Sequence, residues 1–242
     1  MASLKKIDIE KSINFAKENK LIDELNKVYE SVPNGNCTGC GNCCMESVGI
    51  NLIEFINIYH YLSLDEDLRK KCLSKVIDYY LLEYVKKSPC PFKDENNRCL
   101  IYEVRPLNCR IYGHWTKEDY NSNLENISNR NKEYASLIKD KYKFEINNDV
   151  VNFKINYCES FKPNDRYLRK DERLNFADSM MVLDSKIYSK GIMNIEFKDR
   201  GIVEYFIESL LYEDTAYNIK IRVSKDESVR KCALDRLKTI VL

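Results

Sequence analysis

Apolar residues between positions 7 and 30 recur at helical spacing, as Ile9, Ile13, Phe15, Leu21, Ile22, Leu25 and Val28. The pattern predicts one amphipathic helix ending at Pro33-Asn34-Gly35, where proline interrupts the backbone hydrogen bonding and glycine favours a turn. Residues 50 to 62 and 65 to 87 show the same period. The second opens near Ser63, a candidate cap, and places Asp65, Glu66 and Asp67 where the helix dipole favours negative charge, so a helical hairpin is expected.

Between these helical patterns, the stretch from Cys37 to Gly49 contains Gly39 and Gly41 and predicts tight turns. Residues 88 to 114 read as loops with short turns, 122 to 140 as a helix, and 143 to 155 as two short strands about Asn147-Asn148-Asp149. After Pro163 the pattern turns helical to about Ser189. A strand over Gly191 to Lys198, a helix over 201 to 211 and a final amphipathic helix over 225 to 240 complete the chain. The expected fold is mainly α with small β elements around a cysteine-rich loop core. Residues 1–165 would form a cysteine-cluster domain with its N-terminal helix, and 166–242 a helical extension packed on it.

Charge narrows the function classes. Thirty-nine basic and 38 acidic side chains leave a formal charge of +1, so no global field draws the protein to nucleic acid or to an anionic membrane. The first twenty residues alternate charge with isolated apolar positions and lack the apolar stretch of a secretion signal, and no run is long enough to span a bilayer. A cytoplasmic protein is expected, with its oligomeric state open. In a reducing compartment its ten cysteines would remain thiols, which calls for an explanation other than disulfides.

Eight of the ten carry a pattern. Cys37-Thr38-Gly39-Cys40-Gly41-Asn42-Cys43-Cys44 is a C-x-x-C-x-x-C-C run, in which two intervening residues let sulfurs face one centre and small side chains let amides approach them. Cys90 lies between two prolines, Cys99 opens Cys99-Leu100-Ile101-Tyr102, Cys109 follows Arg105-Pro106, and Cys158 comes last. All five prolines fall within five residues of one of these cysteines, as expected of rigid ligand loops. Cys72 and Cys232 differ. Each sits in a charged helical pattern with no cysteine nearby in sequence, and reads as a small packing residue.

The ordered set C-x-x-C-x-x-C-C, C-P-F, C-x-I-Y-x-x-R-P and C-R resembles the bacterial CxxCxxCC family of zinc- or iron-chelating proteins, over residues 37 to about 160. The resemblance implies Cys37, Cys40, Cys43, Cys44, Cys90, Cys99 and Cys109 as ligands, with Cys158 matching a looser late cysteine. The family includes flagellin lysine-N-methylases, longer than this chain, so the resemblance also implies an enzyme acting on a protein or peptide side chain. Residues 165 to 242 resemble no part of it.

Eight thiolates exceed the four that one zinc ion or one cubane cluster takes, and adjacent Cys43 and Cys44 point in different directions, so two sites or a split pair are expected. The ferredoxin-like run favours an iron–sulfur cluster, 4Fe-4S, over the alternative, zinc. Beside Cys109, Arg110 and His114 are the candidate catalytic groups, as anion or substrate contacts in an accessible pocket at a cluster edge; the competing reading has the arginines capping loop carbonyls and His114 packing with Trp115. His60 and the seventeen tyrosines read as packing. No G-x-G-x-x-G or G-K-S/T loop is present. Two function classes remain: a metal-dependent enzyme modifying a protein or peptide, and a structural binding module or redox carrier.

Overall fold

The computed structural model describes residues 2 to 239. Eleven α-helices occur among them: α1 (Lys6–Glu18), α2 (Leu21–Ser31), α3 (Leu52–Ser63), α4 (Glu66–Leu82), α5 (Leu107–Ile111), α6 (Lys117–Tyr142), α7 (Asn148–Val151), α8 (Lys170–Tyr188), α9 (Ile202–Glu208), α10 (Glu213–Lys225) and α11 (Glu227–Lys238). Four two-residue strands complete the framework. Of these, β1 (Gly35–Asn36) pairs antiparallel with β3 (Lys162–Pro163), and β2 (Gly49–Ile50) with β4 (Arg200–Gly201). The fold is mainly α with small β elements.

α3 is the centre because its sequence is apolar on nearly every side. Leu52, Ile53, Phe55, Ile56 and Ile58 are wholly buried, the signature of a helix surrounded by other helices. α1, α2, α4 and α8 pack around it. On α9, Tyr205 stacks on Phe55 with ring centroids 4.8 Å apart. The start of α3 would leave its first amides without partners inside the core, and Asp184 of α8 supplies them: its carboxylate accepts from Leu52 N at 2.9 Å and Ile53 N at 2.8 Å. One core cluster runs from Leu4 to Leu237, so residues after 165 share the apolar interior of those before it.

Several expected elements are corrected. The helix over 7 to 30 is two helices, broken where Lys20 takes a left-handed conformation at φ 57°. The break lets α1 pack on α3 while α2 packs on α8. Residues 143 to 155 hold no strands; Asn147 instead accepts from Asp149 N at 2.9 Å and caps the single turn of α7. Asp65 caps α4 by accepting from Leu68 N, whereas Ser63 donates to the His60 carbonyl. Gly191 to Lys198 is irregular, having no strand to pair with. α10 was hidden because its buried positions include Lys220 and Ser224, which break the apolar period.

β1 and β3 are held by a close fit. The Phe161 ring lies between two glycines: a Cβ at Gly35 would stand 2.2 Å from Cζ of the ring, and one at Gly113 2.4 Å from its Cγ. Gly113→Ala is therefore expected to destabilise the protein by about 1–3 kcal/mol, the usual cost of overpacking. A chemical denaturation midpoint equal to wild type would show that the slot is not tight.

Candidate metal centre

The candidate ligands arrive on four segments: the turns between β1 and β2, the loop from Cys90 to Cys99, α5, and the residues just before β3. Backbone contacts join the first two, since Cys90 N donates to the Cys44 carbonyl at 3.0 Å. The 90–99 loop closes on itself. Lys93 pairs with Cys99 in an antiparallel bridge, Leu100 N donates to Phe92 O at 2.7 Å, and Asp94 Oδ1 accepts from Asn96 N and Arg98 N. Lys75 of α4 donates to the Lys93 carbonyl at 2.8 Å and anchors the loop to the helical core. Gly41, at φ +70°, rests on this loop: a Cβ there would meet Asn97 at 3.1 Å.

The amide two residues after Cys37 donates to its sulfur, Gly39 N to Sγ at 3.5 Å, and the equivalent amides of Phe92 and Ile101 act to lower the thiol pKa of Cys90 and Cys99. Such bonds favour the thiolate, the form that binds metal, and oppose the burial that favours the thiol. Burial still dominates at Cys90, pushing its thiol up to about 12, and raises Cys99 as well.

Cys43, Cys90, Cys99 and Cys109 lie close enough that their fields act on one another. Every pair among the four interacts, raising the thiol pKa of Cys90, Cys99 or Cys109 beyond the effect of burial. At Cys43 the largest cause is a hydrogen bond with the adjacent Cys44 thiol, followed by burial. Cys109 is exposed to solvent, while the protein around it raises its thiol pKa well above the ordinary value, desolvation being the largest cause.

The other four candidates flank this set. Cys37 and Cys40 are exposed on the β1–β2 turns. Cys158 lies 3.6 Å from Ser160 Oγ, which in turn meets Thr38 Oγ1 at 3.4 Å, so the first and last cysteine segments meet across the β1–β3 pair. The fields of both Cys43 and Cys158 reach the Tyr112 and Tyr120 phenols. Contacts thus tie the Cys37 segment to Cys158, and the Cys44 segment to Cys90. Cys232 is exposed on α11. Cys72, far from the others in sequence, is buried on α4 within the field of Cys99, with burial pushing its thiol up to about 12.

Arg110 and His114 are engaged in the fold. Arg110 donates from Nε to the Arg105 carbonyl at 2.9 Å and from Nη2 to the Glu103 carbonyl at 2.8 Å, and its guanidinium lies 4.0 Å from the Tyr29 ring centroid. His114 is buried edge-on against Phe161, and burial lowers its pKa, which holds the ring neutral. The expectation of an open pocket around His114 is corrected: the residue is 2% exposed. Trp115 lies under the Arg173 guanidinium at 4.1 Å. His60, on α3, has no cysteine among the groups that shift its pKa, which burial lowers.

One positioning residue escaped the reading of the sequence. Glu54, buried on α3, accepts from Leu107 N at 2.6 Å and Tyr29 Oη at 2.9 Å on Oε1, and from Asn51 N at 2.9 Å on Oε2. It fixes the start of α5, and with it Cys109, to the central helix. Asn51-Leu52-Ile53-Glu54 is a capping signature that could have marked it, though not its bond to Leu107.

Residues 36–132 match the family model CxxCxxCC, described as a "putative zinc- or iron-chelating domain". This segment is similar to that domain family. It takes in seven of the eight candidate cysteines, leaves Cys158 outside and ends within α6. No solved structure matches the chain. The family description supports metal binding, of zinc or iron, by this segment. The donor set fits both, since all-thiolate ligation suits zinc and iron–sulfur clusters and not the hard cations that take oxygen. No helix among the described residues is long and apolar enough to cross a membrane.

Proposed function

We propose that the protein is an iron–sulfur protein whose CxxCxxCC domain holds a 4Fe-4S cluster on Cys43, Cys90, Cys99 and Cys109. The cysteine pattern is the observation that carries this reading: a C-x-x-C-x-x-C-C run followed by remote cysteines beside proline has the spacing of ferredoxin-type runs more than of zinc ribbons. The fields of Cys43, Cys90, Cys99 and Cys109 act on one another, which supports grouping these four at one centre.

Cys37, Cys40, Cys44 and Cys158 form a second set of four, which splits the adjacent Cys43 and Cys44 between two centres. In the bound state a cluster would supply one-electron chemistry. The chain's own contribution is to preorganise the sulfurs, through the Phe92 and Ile101 amides, and to keep one side of the centre open at Cys109. An activity on a protein or peptide side chain follows from the family resemblance and belongs to this open side. Arg110 and His114 serve there as bracing groups for the Cys109 segment. Anaerobically purified protein is expected to be brown, with a broad band at about 400 nm that bleaches on reduction. A colourless protein that stays colourless after anaerobic supply of iron and sulfide would overturn the reading.

A further inference from the structure

Two contiguous cavities of about 310 and 520 Å³ lie against α4, α6, α9 and α10 and share Tyr80, Asp199, Arg200 and Glu204 in their walls, with Ser47 and Gly49, just beyond the cysteine run, lining the smaller. We propose that this elongated groove binds a linear organic cation of the aliphatic polyamine class. No cysteine lines either cavity, and the proposal does not depend on the metal assigned above.

Aromatic faces form much of the larger cavity. Tyr84 and Tyr134 hydrogen-bond through their hydroxyls, Tyr217 lines the same wall, and Tyr142 packs on Tyr217 with ring centroids 5.6 Å apart. The groove already places one ammonium on such faces: Lys220 Nζ lies 4.4 Å from the Tyr80 ring centroid and 4.2 Å from that of Tyr84. The walls therefore suit cations.

The charge left over in the groove sets the sign of its ligand. Lys198 is paired with Glu213, Arg200 with Glu208 and Lys220 with Glu83. Lys141 alone among the lining cations makes no ion pair among the described residues. Against it stand Asp199, Glu204 and Asp214, all exposed at the rim. Asp199 and Asp214 make no side-chain hydrogen bond or ion pair among the described residues, and Glu204 accepts only from Gly201 N. Asp199 and Glu204 line the junction of the two cavities, while Asp214 belongs to the larger one alone. Negative charge distributed along an aromatic trough matches a chain of ammonium groups separated by methylenes better than a compact ion.

The test is calorimetric titration of the purified, metal-loaded protein with spermidine, alongside magnesium chloride and cadaverine at equal ionic strength. Spermidine is expected to bind at one site and more tightly than cadaverine, and magnesium not to compete. Tyr134→Ala, at an exposed position, should weaken spermidine about two- to fivefold, the size of one solvent-exposed cation–π contact. The double variant Asp199→Asn/Asp214→Asn should do at least as much, with metal content and circular dichroism unchanged. Spermidine binding that magnesium displaces at equal charge, or that Tyr134→Ala leaves intact, would mean diffuse ionic attraction and overturn the proposal. So would the absence of any binding.

Discussion

Cys90→Ala and Cys99→Ala are expected to strip the bound metal and to unlock residues 36–49 and 89–101, while the helices around α3 stay protected from hydrogen exchange. The reason lies in where apolar burial is found. From 36 to 49 only Gly41 is buried, so these turns have almost no core of their own and depend on hydrogen bonds and on ligation. Cysteine-bound metal contributes on the order of 10 kcal/mol in small domains, comparable with the net stability of about 5–15 kcal/mol of a whole domain. The helical core around Phe55 and Tyr205 rests on contacts between helices that need no ligation, and should survive metal loss. Cys72→Ala and Cys232→Ala serve as controls, with unchanged metal content. Cys72 is the demanding one, because the fold brings it near Cys99. Metal loss in Cys72→Ala as complete as in Cys90→Ala would move it from the core into the ligand set.

Glu54→Ala should cost on the order of 4 kcal/mol. Its carboxylate accepts from the Asn51 and Leu107 amides and the Tyr29 hydroxyl, and removing it leaves three donors inside the core without partners, each worth about 1–3 kcal/mol less whatever relaxation recovers. Burial raises the Glu54 carboxyl above the usual carboxylate range, and the three donors oppose that rise. Glu54→Gln, which keeps an acceptor and the side-chain volume, should fall between wild type and Glu54→Ala. The second readout is specific to position. Because Leu107 opens the helix that carries Cys109, Glu54→Ala should also slow metal reloading after chelation. Asp184→Ala, which frees the amides of Leu52 and Ile53 at the same helix start but touches no part of α5, should lower stability and leave reloading near wild type. Equal reloading rates in the two variants would remove Glu54 from the positioning role.

The central helix and the family's cysteine motif were legible in the sequence for separate reasons. α3 is apolar on nearly every side, a pattern that survives any tertiary context, and the C-x-x-C-x-x-C-C run has a spacing that packing does not require. The bond from the Leu52 amide to Asp184 joins residues 132 positions apart and has no local signal at all. Other misreadings were local. Asn147-Asn148-Asp149 suits a helix cap as well as a hairpin turn, and the absence of a pairing strand among the described residues decided for the cap. Lys20 could break a helix in the left-handed conformation without the glycine that usually signals it. Arg110 and His114 stood beside a ligand in sequence, but adjacency along a chain says little about direction: one side chain turned back to cap carbonyls and the other into the slot beside Phe161.

The most direct test of the central claim is the content of iron, acid-labile sulfide and zinc per chain in anaerobically purified wild-type protein. A single cluster on Cys43, Cys90, Cys99 and Cys109 gives about four iron and four sulfide per chain, and a second on the flanking set would double both. Stoichiometric zinc without sulfide, unchanged when iron and sulfide are supplied during expression, would contradict the iron–sulfur account and make the domain a zinc site.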